Sequence, residues 1–116
     1  MSTSLTTYKD KEAWLNDALV LDCLKYIRLS LMQYSLTIEW VKEYNQVLFE
    51  IIEANPIGWL TLDFDKFLNT EEKRLYFIAK INEAINLIEM KQKNNEETEP
   101  QLLINCLITL RSILEI

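Results

Sequence analysis

The chain has a single glycine, Gly58, in 116 residues, and only two prolines, Pro56 and Pro100. Tight turns and β-sandwiches use glycine where the backbone needs a positive φ. A chain this poor in glycine is expected to fold with long helices and few, short connections. With 49% hydrophobic residues, it can bury a core as one domain without disulfides. The expected architecture is all-α: an antiparallel bundle of four to five helices, with residues 1–116 in a single domain.

Apolar periodicity places the helices. The first is expected to start near Thr7, which can cap it, with Asp10 and Glu12 in its first turn. Trp14, Ala18, Leu21 and Leu24 repeat at helical spacing, as do Val20, Leu24, Ile27 and Leu31. So broad an apolar surface suggests a central helix. Ile27, Leu29 and Leu31 alternate, as do Leu36, Ile38 and Trp40, which also fits a hairpin around Gln33 and Tyr34. No Gly, Asn or Asp supplies a turn there, which favours two helices with a break near residues 33–37. A second helix over about residues 37–53 carries the stripe Trp40, Val41, Tyr44, Val47, Leu48, Ile51 and Ile52. Asn55-Pro56 stops it, and Gly58 completes the turn.

Residues 59–69 read as a linker with one helical turn after Asp63, anchored by Trp59, Leu62, Phe64 and Phe67. Thr70 is a good cap for a third helix, followed by Glu71 and Glu72 in its first turn. Leu75, Ile78, Ile81, Ile85 and Ile88 form its stripe to about Lys93. Pro100 opens a fourth helix in its first turn. That helix is apolar nearly all round, from Leu102 to Ile116, and is expected to be buried in the bundle or in a dimer.

Charge and composition narrow the function. There is no histidine, which removes the commonest general base and metal ligand. Ser–His and Cys–His triads and Glu-x-x-His di-iron bundles are excluded with it. One glycine cannot build a phosphate-cradling loop. Cys23 and Cys106 lack CxxC spacing and are expected as two buried, reduced thiols. An enzyme is therefore not expected, and no cofactor or metal is called for. The Ser/Thr-rich start has no apolar core of a signal peptide, and no apolar run reaches membrane-span length. The expected compartment is the cytoplasm. The acidic balance disfavours nucleic acid and anionic membranes as partners.

The negative charge is concentrated. Residues 37–65 hold Glu39, Glu43, Glu50, Glu53, Asp63 and Asp65 against Lys42 alone, which accounts for −5 of the chain's −6. Such a block suits a positively charged partner. Glu50 and Glu53 lie in the last turns of their helix, where the dipole disfavours anions, and they repel each other three residues apart. Unforced violations of this kind gather at functional places, although tolerated surface charge explains them equally well. Phe49 falls on the polar side of the same helix. An aromatic among carboxylates has the composition of a binding hot spot; packing under the linker is the alternative. Asp63-Phe64-Asp65 is read as a helix cap plus surface charge, since hard cations need more converging oxygens.

In size, acidity and helical character the chain resembles the small acidic helical immunity proteins of bacterial contact-dependent growth-inhibition and colicin-type systems. The resemblance spans the whole chain and rests on no diagnostic motif, so it assigns no residue. It implies a protein that binds and neutralises a cognate toxin domain. Nuclease sites are basic because they hold phosphates, and a carboxylate-rich helix can imitate that backbone. The expected partner surface comprises Glu39, Glu43, Phe49, Glu50, Glu53, Trp59, Asp63 and Asp65. The alternative is a helical structural or regulatory module that self-associates as a homodimer through the fourth helix.

Overall fold

The computed structural model describes residues 3–33, 37–55, 62–94 and 99–115. Along the chain come strands β1 (Thr3–Tyr8) and β2 (Lys11–Asn16). Helices α1 (Asp17–Gln33), α2 (Glu39–Ala54), α3 (Phe64–Phe67), α4 (Glu71–Lys93) and α5 (Pro100–Leu114) follow. The protein is therefore mostly helical but not purely so. An antiparallel two-stranded sheet occupies the stretch where a helix from Thr7 is expected.

The hairpin hides its own signature. In β1 the inward residues are Ser4, Thr6 and Tyr8, all buried, while Leu5 faces outward. Polar-in alternation does not read as a strand pattern, although the threonines favour one. Leu5 stands opposite Trp14 on the outer face, and Trp14 is 66% exposed. Its match to Ala18 and Leu21 at helical spacing is coincidental. Lys9 makes the turn with φ 55, a conformation that neither glycine nor asparagine advertises here. Asn16 then starts α1, its side-chain carbonyl accepting from the Leu19 N–H at 3.0 Å. Asp17 supplies the favourable first-turn charge.

An isolated hairpin is marginal in water, and this one is docked on helices. β1 lies against α3 and α5, and β2 against α5 and α1. The Tyr8 hydroxyl donates to the Leu68 carbonyl at 2.7 Å. The Lys9 N–H donates to Asp65 Oδ1 at 2.9 Å. The Lys11 ammonium reaches the Glu115 carbonyl just beyond α5.

α1 is the central element and packs against α2, α4, α5 and β2. Its stripe Val20, Leu24, Ile27 and Leu31 is wholly buried. α2 buries Val41, Tyr44, Asn45 and Leu48, with Trp40, Val47, Ile51 and Ile52 packed at the core's edge. It ends at Asn55 in the left-handed region, whose N–H caps the Ile51 carbonyl. Each of the breaks expected after Gln33 and Asn55 is observed as a helix end.

α4 begins at Thr70, whose hydroxyl accepts from the Lys73 N–H at 3.2 Å. Its buried line is Arg74, Phe77, Ile81, Ala84 and Ile88. Leu75, expected in the stripe, is exposed. The helix is apolar on more than one side, and its buried Phe77 meets Tyr44 of α2 and Phe64 of α3. α5 starts at Pro100 and buries Leu103, Cys106, Leu107, Leu110, Ile113 and Leu114. Its apolar girth is thus largely used within the chain. Arg74 closes its far end, donating to the Leu114 carbonyl at 3.1 Å.

Candidate functional site

α2 carries the candidate surface because its two faces diverge. Core residues fall on one side, and Glu39, Glu43, Gln46 and Glu50 follow at intervals of four, three and four on the other. Glu39, Glu43 and Glu50 line one shallow concavity of about 460 Å³ together with Lys42, Asn45, Gln46 and Val47. Three acids therefore line it with one base. Gln46 steadies the lower end by donating to Glu50 Oε1 at 3.4 Å.

Beside the concavity, α1 contributes a residue absent from the expected surface. The Arg28 guanidinium lies 4.8 Å from the centroid of the Phe49 ring. Its Nε–H donates to Asn45 Oδ1 at 3.1 Å, and Nη2 approaches Met32 Sδ at 4.0 Å. Asn45 is buried, so the arginine satisfies an amide that would otherwise be stranded. Phe49 remains 38% exposed. It is a half-open ring with a cation on one face, neither fully free nor packed into the core. No spacing rule within α2 could reveal Arg28; the pairing depends on how α1 and α2 pack.

The remaining expected residues are placed elsewhere. Glu53 is exposed and does not line the concavity. Asp65 is engaged by the hairpin turn through Lys9. Asp63 stands before α3 with φ 53 and makes no side-chain cap bond; its carbonyl accepts from the Lys66 and Phe67 amides instead. Trp59, and the turn expected at Pro56 and Gly58, lie outside the described residues. Among the described residues no three potential metal-ligating side chains converge, and no described helix is long and apolar enough to cross a membrane.

α2 is held rigidly from beneath. Tyr44 is fully buried, stacks on Phe67 at 4.5 Å and touches Phe77 at 5.3 Å. Its hydroxyl donates to the Leu62 carbonyl at 2.6 Å. Burial, and then the negative charge of Asp63, push the Tyr44 hydroxyl well above its ordinary pKa of 10.0. Trp40 meets Tyr76 edge-on at 5.5 Å, with the Lys73 ammonium over its ring. A helix anchored in this way presents its exposed carboxylates from a preorganised backbone.

Compared with known proteins, the chain matches no family model, and no curated protein or solved structure shows significant similarity to it.

Proposed function

We propose that the protein is an immunity-type inhibitor that binds a cognate basic toxin domain, a nuclease by preference, through the acidic face of α2. The observation that carries this reading is the placement of Glu39, Glu43 and Glu50 along one concavity with Lys42 as the base lining it. Glu39 suits the N-terminal dipole of α2, but Glu43 and Glu50 gain nothing from it, and Glu39 and Glu43, four residues apart, repel by a few tenths of a kcal/mol. They do raise the local negative potential, which steers a basic partner and speeds its association. Phe49 beside them supplies an aromatic anchor of the kind that dominates protein interfaces. In this reading Glu39, Glu43 and Glu50 meet the toxin's cationic groups, and Phe49 fills an apolar contact next to them.

The test is protection. A candidate toxin domain, sought among the open reading frames that adjoin this gene, is expressed in a susceptible host with and without this chain. Restored growth, together with co-purification of the two proteins, is the expected outcome. Loss of growth irrespective of this chain, with no complex formed, contradicts the reading.

A further inference from the structure

A feature independent of the acidic face lies on the opposite packing side of α1. Cys23 and Cys106 sit on α1 and α5, two helices packed against each other. Both are free and buried. The Cys23 thiol donates to the Leu103 carbonyl at 3.5 Å, and Cys106 stands near enough for the two thiols to shift each other's titration. Leu103 is one helical turn before Cys106, so the same turn of α5 provides both contacts.

Packing alone does not call for two thiols in contact, since any pair of small apolar side chains fills such a space. The turn of α5 that holds Cys23 also borders a groove. Leu103 and Asp22, the neighbour of Cys23, help to wall a groove of about 340 Å³ that is also lined by Lys25, Tyr26, Leu29 and Lys91.

The two thiols also differ in reactivity. The neighbouring Cys23 thiol holds the Cys106 thiol below the ordinary cysteine value, against burial, which raises it. Cys106 in turn, and then burial, push Cys23 up. Cys106 is the natural nucleophile and Cys23 the resolving partner, since the thiolate is the reactive form.

We infer that Cys23 and Cys106 form a reversible intramolecular disulfide on exposure to a peroxide, joining α1 to α5. The Cys106 thiolate sulfur attacks one peroxide oxygen. The O–O bond breaks, the departing hydroxide takes a proton as water, and Cys106 becomes a sulfenic acid. The Cys23 sulfur then gives up its proton and attacks the Cys106 sulfur. The S–O bond breaks, and hydroxide leaves with that proton as a second water. Two thiols are oxidised to one disulfide, and one hydrogen peroxide is reduced to two waters. A dithiol reductant reverses the bond by thiol–disulfide exchange.

The experiment treats the full-length reduced chain with hydrogen peroxide and follows intact mass, alkylatable thiols after denaturation, and the linkage in a non-reducing digest. The expected result is a loss of about 2 Da in the monomer, disappearance of both thiols, and a linked pair of peptides carrying Cys23 and Cys106. Dithiothreitol restores the starting mass. The oxidised chain also unfolds at higher denaturant than the reduced one, because the cross-link restricts the unfolded chain. In C23S the reaction stops at a sulfenic acid on Cys106, trapped by a dimedone-type reagent; the wild-type digest decides the matter even where that variant folds poorly. Three results would overturn the inference. They are an intermolecular disulfide, sulfinic or sulfonic acid without a linked peptide pair, and both thiols surviving peroxide that oxidises free glutathione alongside.

Discussion

The Tyr44 hydroxyl donates to the Leu62 carbonyl across 2.6 Å, tying the helix that carries the acidic face to the segment ahead of α3. The same ring stacks on Phe67, so one side chain couples α2 to α3 by both a polar and an aromatic contact. The acidic face is therefore only as rigid as this anchor.

Removing the hydroxyl tests it. Tyr44→Phe keeps the stacking but strands the buried Leu62 carbonyl, at a cost of about 1–3 kcal/mol, measured as a lower midpoint in urea unfolding. The pH dependence has a defined sign. The folded-state pKa of Tyr44 is raised, so the unfolded chain loses that proton first. Its contribution is complete below about pH 10 and declines as pH rises above it, by at most about 1.4 kcal/mol per pH unit. Tyr44→Phe is predicted to unfold with a shallower alkaline slope than the wild type. Equal slopes would contradict the assignment.

Asp65 is predicted to act on the hairpin. Its carboxylate accepts from the Lys9 N–H at an exposed position. Asp65→Ala should therefore cost about 1 kcal/mol. Amide hydrogen exchange should accelerate in residues 3–16 before it does so in α4. An unchanged exchange pattern in the hairpin counts against the tether.

Ser30 offers a gain in stability. It lies within α1, is wholly buried, and its hydroxyl finds no hydrogen-bond partner among the described residues. Ser30→Ala removes an unpaired polar atom and improves helix propensity, so the melting temperature should rise, by an amount equivalent to about 1 kcal/mol or more. A fall would mean that the hydroxyl is satisfied in solution.

Arg28 should separate stability from recognition. Arg28→Ala loses the stacking on Phe49 and leaves the buried Asn45 carbonyl oxygen without its donor. The expected loss of stability is about 2 kcal/mol. Because the substitution removes a positive charge beside the acidic concavity, association with a basic partner should quicken at low salt. Stopped-flow association rates of the wild type and R28A, compared with their unfolding midpoints, measure the two effects separately.

The helices were legible where local rules agreed with burial. Thr70 with two following glutamates marks the start of α4, Pro100 that of α5, and the Trp40–Ile52 stripe the inner face of α2. The hairpin was not, because β1 turns Ser4 and Thr6 inward and Leu5 outward, which inverts the pattern that reveals a half-buried strand. Trp14 compounded this by matching a helical stripe that begins after it. In the candidate surface, Glu39, Glu43 and Glu50 could be grouped from spacing alone. The link of Asp65 to Lys9 and of Arg28 to Phe49 join residues 56 and 21 positions apart, and only tertiary packing brings them together.

The central claim is that carboxylates on α2 hold a basic partner, and one titration tests it most directly. The dissociation constant for the toxin domain that this chain protects against in the growth test is measured for the wild type and for a variant with Glu43→Lys and Glu50→Lys, at fixed ionic strength. The two positions are exposed, so the fold should survive, as far-UV circular dichroism will verify. The account predicts that the double variant binds at least about a hundredfold more weakly, the loss of roughly 3 kcal/mol expected when two interfacial charges are reversed. Unchanged affinity in the folded double variant would contradict it.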